Sequence, residues 1–70
     1  MKEKLIGICC ELFEREDITI DSKRDEIAEW DSMTHVMLIA EIEESFKKQI
    51  PFEKIDKIKG VKDLYDLLEE

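Results

Sequence analysis

Apolar residues in this chain recur at helical spacing, and that recurrence constrains its fold more than any other feature. Leu5, Ile8, Cys9, Leu12 and Phe13 stand at i, i+3, i+4, i+7 and i+8, one stripe of a 3.6-residue period. Lys4, Glu11 and Glu14 fall off that stripe. A second pattern is predicted over 32–48. With Met33 at the origin, Leu38, Ile39, Ile42 and Phe46 fall between about 140° and 240° around a helix. Val36 sits at the edge of this core face, and Thr34, Glu41, Glu44 and Lys48 lie opposite, with Met37 among them. The closing stretch "VKDLYDLLEE" gives a third stripe of Val61, Leu64, Tyr65 and Leu68.

Between the first two helices the pattern lapses. "DITIDSKRDEIAEW" holds only isolated apolar residues, and although Ile18 and Ile20 alternate, no later strand is there to pair with them. A long loop pinned by its isoleucines is expected. Loops beyond about 12–15 residues are uncommon in compact domains and often functional. Pro51 stops the second helix or opens the next, and "PFEKIDKI" is expected to form a short helix anchored by Phe52, Ile55 and Ile58. Gly60 punctuates before the last helix. The fold class read from these patterns is all-α: a small bundle of three main helices plus one short helix.

Seventy residues suffice for one domain, 1–70, with a modest core. The net charge of -8, from 19 acidic against 11 basic residues, argues against nucleic acid and against anionic membranes as partners. It favours protein partners with basic patches. Cys9 and Cys10 are the only cysteines. With a single histidine they make neither a disulfide framework nor a zinc-site spacing, and they read as reduced thiols of a cytoplasmic protein. No apolar run approaches the ~20 residues needed to span a bilayer, and the start is too charged for a secretory signal. A monomer is expected.

The junction "EWDSMTHV" carries the candidate site. Asp31 is a preferred helix N-cap and Ser32 the first helical residue. Two readings follow: either the pair only satisfies free backbone N–H groups, or Ser32 carries a phosphate ester, which those N–H groups and the helix dipole favour. Position alone leaves both open.

The surrounding residues add a resemblance. Asp31-Ser32-Met33 is similar to the Asp-Ser-Leu motif that opens the second helix of acyl carrier proteins. Val36, Leu38, Ile39, Ile42, Glu43-Glu44, Phe46, Ile50, Pro51 and Gly60-Val61 stand where that family places such residues. The resemblance covers the whole chain in layout and about forty residues in motif. It implies that a phosphopantetheinyl transferase attaches 4'-phosphopantetheine to the Ser32 hydroxyl, flanked by Asp31 and Met33. The arm then carries an acyl group as a thioester to loading, transfer or condensing enzymes of a dedicated fatty-acid, lipid or secondary-metabolite pathway. The domain itself catalyses nothing. D-alanyl and peptidyl carriers share the motif, so an aminoacyl cargo is the alternative; from another class, the rival is a non-catalytic acidic helical adaptor.

Departures from that family's pattern set further expectations. Thr34 and Met37 replace the acidic residues usual in fatty-acid carriers, and Glu29 replaces a glycine. Partner docking is therefore expected at Met33, Met37, Glu41, Glu43 and Glu44, with more apolar contact than usual. His35 lies three residues after Ser32, but no third orienting group, nucleophile elbow or oxyanion-hole glycines accompany it, so it reads as a packing or pocket-lining residue rather than half of an esterase dyad. Trp30 and Tyr65 likewise read as packing residues.

Overall fold

The structure, a computed structural model, describes residues 2–69. Among these residues four α-helices follow one another: α1 (Lys2–Phe13), α2 (Ser32–Phe46), α3 (Phe52–Ile55) and α4 (Val61–Glu69). Glu70, which the sequence pattern included in the last helix, lies outside the described residues. The all-α bundle of three main helices and a short one matches the periodicities.

Each stripe does what its spacing requires. Leu5, Cys9 and Phe13 of α1 are buried, as are Leu38, Ile39 and Ile42 of α2 and Val61, Leu64 and Leu68 of α4. Ile8, Leu12, Phe46 and Tyr65 are half-buried around them. Fully burying one such side chain contributes about 1.5–3 kcal/mol, and α1 gathers the core by packing on both α2 and α4. Lys4 adds a polar strap, donating from Nζ to the carbonyl of Ser45 at 3.1 Å while lying 5.1 Å from the Phe46 ring.

α1 ends where Glu14 turns left-handed at φ 55°, with the Arg15 N–H closing on the carbonyl of Cys10. The long connection to α2 is a loop, as expected, with a single 3-10 turn at Arg24–Glu26. Its residues Ile18, Ile27 and Trp30 are buried, and Ile20 is half-buried. Ile18 and Ile20 form no strand, as expected, but the loop does make a backbone contact further along the chain. Lys23 forms an isolated antiparallel bridge with Gly60. The Arg24 N–H donates to Lys59 at 2.8 Å and the Val61 N–H to Ser22 at 3.0 Å, both to carbonyls. Gly60 is required there, because a Cβ would stand 2.8 Å from the Ser22 carbonyl oxygen.

α2 stops two residues short of the expected Lys48. Lys47 adopts a left-handed conformation (φ 54°), and the Lys48 side chain turns to donate to the carbonyl of Leu68. Glu43 secures this end: its Oε2 accepts the Ile50 N–H at 2.8 Å. α3 also differs from expectation. Phe52 is no anchor but 83% exposed, because α3 is a single turn whose first residue faces away from the core. Ile50 and Ile58, on either side of the turn, are the buried anchors.

Among the described residues, no helix is long and apolar enough to cross a membrane.

Candidate functional site

The start of α2 is organised by a reciprocal cap. Asp31 is extended (φ −99°, ψ −171°), which lets its Oδ1 accept the Thr34 N–H at 3.0 Å. In return the Asp31 N–H donates to Thr34 Oγ1 at 2.9 Å. The Thr34 hydroxyl spends its one proton on the carbonyl of Glu29 at 2.6 Å. Thr34 thus completes a capping box and is half-buried, where the sequence reading set it on the solvent face. The Thr34 N–H, above the other donors around it, holds the Asp31 carboxyl below the usual carboxylate range.

Ser32 is the first residue of α2 and is exposed. No group among the described residues holds its hydroxyl. An oxygen at the positive end of a fifteen-residue helix, without an internal partner, is accessible for covalent modification and suits an attached anion.

Behind this junction lies a buried aromatic pair. Trp30 is 3% exposed and its ring centroid is 5.2 Å from that of Phe13. Its indole Nε1–H donates to His35 Nδ1 at 2.9 Å. On the opposite side of the imidazole, Nε2 is 2.9 Å from the carbonyl oxygen of Ile55. Indole N–H can only donate and a carbonyl can only accept. His35 is therefore the neutral tautomer protonated on Nε2, bonded at both ring nitrogens, as a packing histidine should be. Removing the ring would leave the buried Trp30 N–H unpaired, at about 1–3 kcal/mol, and take one of two donors from the Ile55 carbonyl. Residue spacing does not encode this Trp30–His35–Ile55 chain; its signal in the sequence is a lone tryptophan and a lone histidine on either side of a helix start.

Arg15 steadies the approach to the site. Its Nε and Nη2 donate to the two oxygens of Asp17, both at 2.8 Å, and its Nη1 to Glu29 Oε1 at 3.0 Å. The guanidinium hydrogen bonds pull the Asp17 carboxyl down to about 2. Glu29 is also lowered, first by its own backbone N–H and then by Arg15.

The residues expected at a docking face separate into two groups. Met33 (74% exposed), Val36 (65%) and Met37 (49%) form an exposed apolar stripe that continues to Ala40. Val36 belongs to this outer stripe rather than to the edge of the core face. Glu41 and Glu44 are exposed beside it. Glu43 is half-buried and engaged by the Ile50 N–H.

A groove of about 430 Å³ opens between α2 and α3. Ser32 stands in its wall with His35, Val36, Ile39, Phe52 and Ile55, and Arg24, Glu43 and Asp56 supply its polar members. The exposure of Phe52 has its explanation here: the ring walls the groove. Such a volume is at the lower end for small-molecule sites.

No family model matches the chain, and no curated protein matches it. Among solved structures, the holo acyl carrier protein of Geobacter metallireducens, determined by solution NMR, superposes with a TM-score of 0.84 at 29% identity, covering 96% of this chain and 79% of its own. The four helices and the loop before Ser32 therefore have the fold of an acyl carrier protein.

Proposed function

We propose that this protein is an acyl carrier. The Ser32 hydroxyl attacks the pyrophosphate of coenzyme A on a phosphopantetheinyl transferase, taking 4'-phosphopantetheine as a phosphodiester and releasing adenosine 3',5'-bisphosphate, and the terminal thiol of that arm holds an acyl group as a thioester. The observation that carries the reading is the setting of Ser32: an exposed hydroxyl, without a partner among the described residues, on the first residue of α2, in the wall of a mainly apolar groove, in a fold shared with a holo acyl carrier protein. The capping box supports it, since the cap fixes the attachment point while leaving the hydroxyl unused.

The chain's own residues bind and present; they do not catalyse. His35, the one basic side chain near Ser32 on the same helix, has both nitrogens committed and no capacity left to activate a hydroxyl. The apolar lining of the groove favours an acyl chain over an aminoacyl cargo. Partner enzymes dock on the stripe of Met33, Met37 and the adjoining Val36, with Glu41 and Glu44 meeting basic residues at its edge. Glu43 contributes less to that charge, since one of its oxygens is taken up inside the protein. The protein works as a monomer in the cytoplasm, in keeping with its free thiols.

Incubating the apo protein with coenzyme A and a promiscuous transferase, then measuring intact mass, tests the assignment. The wild type should gain one phosphopantetheine and Ser32→Ala none, while circular dichroism shows both folded. A folded wild type that gains nothing, or a Ser32→Ala variant that is still modified, removes the reading.

A further inference from the structure

We propose that His35 is the stop that sets how far a carried chain can reach into this protein. The proposal rests on the carrier reading of Ser32 and names the residue that would determine chain length. The groove beside Ser32 is lined by Val36, Ile39, Phe52 and Ile55, which suit a hydrocarbon, but the His35 ring interrupts that lining. The ring is buried and cannot turn aside, because it is held on two sides. Its Nδ1 is fixed by the indole of Trp30, whose other neighbour is Phe13 of α1. Its Nε2–H is fixed by the carbonyl of Ile55, which also accepts the Ile58 N–H.

Two consequences follow from that geometry. The imidazole, itself part of the groove wall, is backed by the indole that packs on Phe13, and it shares the core-facing stripe of α2 with the fully buried Leu38 and Ile42. The His35–Ile55 bond also ties α2 to the end of α3, the two elements that must separate if the groove is to deepen. Both nitrogens are already engaged, so the ring offers no hydrogen bond to a cargo. It acts only as a wall. A short acyl chain fills the groove against Val36 and Ile39, and the further methylenes of a long one remain outside.

The test uses the full chain loaded at Ser32 with a series of saturated acyl groups, butanoyl to tetradecanoyl, from the corresponding coenzyme A thioesters. Intact mass confirms loading, and NMR then follows the methyl resonances and the single indole N–H. In the wild type, Val36 and Ile39 methyls should shift as the first carbons are added and then stop responding. Leu38, Ile42 and the Trp30 indole should stay in place at every length. In His35→Val, the longest chains should move Leu38 and Ile42. Loss of all loading would remove the carrier reading and the stop with it. Successful loading with the wild-type indole or Leu38 and Ile42 displaced by long chains would overturn the stop alone, as would groove methyls that never respond. Should His35→Val fail to fold, the wild-type series decides the matter; should it fold and still exclude long chains, the proposal falls.

Discussion

The indole N–H of Trp30 and the Nδ1 of His35 meet at 2.9 Å across the cap of α2, joining the last buried residue of the loop to the first buried residue of the helix. Trp30→Phe keeps most of the ring packing and removes the donor, leaving a buried nitrogen unpaired. The expected cost is about 1–3 kcal/mol in urea denaturation. His35→Leu should cost a similar amount or more, since it strips partners from both Trp30 and Ile55. The double variant should cost less than the two singles together, by about 0.5–3 kcal/mol. Additive losses would show that the two rings are not coupled.

The two glycines should respond in opposite directions to a methyl group. Gly7 lies inside α1, exposed, with nothing within 4 Å of a Cβ placed there. Gly7→Ala should stabilise the protein by roughly 0.5–1 kcal/mol through helix propensity alone. At Gly60 the same methyl meets the Ser22 carbonyl oxygen at 2.8 Å and Lys23 Cα at 3.4 Å, both backbone atoms that cannot swing away. Gly60→Ala should destabilise by about 1–3 kcal/mol, as overpacking does. Midpoints of chemical denaturation for both variants decide the pair.

The two thiols should differ in reactivity. Burial above all, and then the neighbouring Cys10, pushes the Cys9 thiol up to about 12. At neutral pH it holds almost no thiolate, and its sulfur is sealed in the core. Iodoacetamide on the native protein should therefore leave Cys9 untouched and reach Cys10 alone, with Cys9 labelled only after unfolding. Peptide mapping of the alkylated protein checks this. Early modification of Cys9 in the folded protein would contradict its place in the core.

Acid should weaken the loop through Asp17. Its carboxyl titrates near 2 when folded, below the ordinary 3.8, so the unfolded chain takes up the proton first. The stabilisation from Arg15 is thus fully present above about pH 4 and is lost as pH falls toward 2. Arg15→Gln should lower stability by a roughly constant, small amount above about pH 4 and converge on the wild type as pH falls toward 2, which flattens that part of the stability–pH curve. Because Arg15 and Asp17 are solvent-accessible, raising salt should shrink the difference between variant and wild type.

Much of this structure was readable from residue spacing, because a helix buries what recurs every three or four positions. That sufficed for Leu5, Cys9 and Phe13, for Leu38 and Ile42, and for Leu64 and Leu68. It also sufficed for Asp31 before Ser32, since a cap is a local arrangement with a local signature. What escaped depends on pairs that spacing does not encode. The bonds of residues 22–24 to 59–61 run through backbone atoms, and the mark they leave, Gly60, reads equally well as punctuation before α4. Thr34 looked like a surface residue because its partners, Asp31 and Glu29, become neighbours only once the cap forms. Glu43 matched the charged face of a helix, yet it turns back to the Ile50 N–H. Phe52 had the chemistry of an anchor, and only the single-turn length of α3 puts it at the surface.

The backbone bridge between residues 22–24 and 59–61 also has a consequence for the chain during synthesis. The stretch that leads to Ser32 borrows part of its hydrogen bonding from residues made almost thirty positions after that serine. Closing a loop of that span costs entropy before any contact repays it. A nascent chain still lacking α4 would present the right side chain on an unfinished scaffold, and an enzyme that reads the finished shape would have to wait for the far end to emerge.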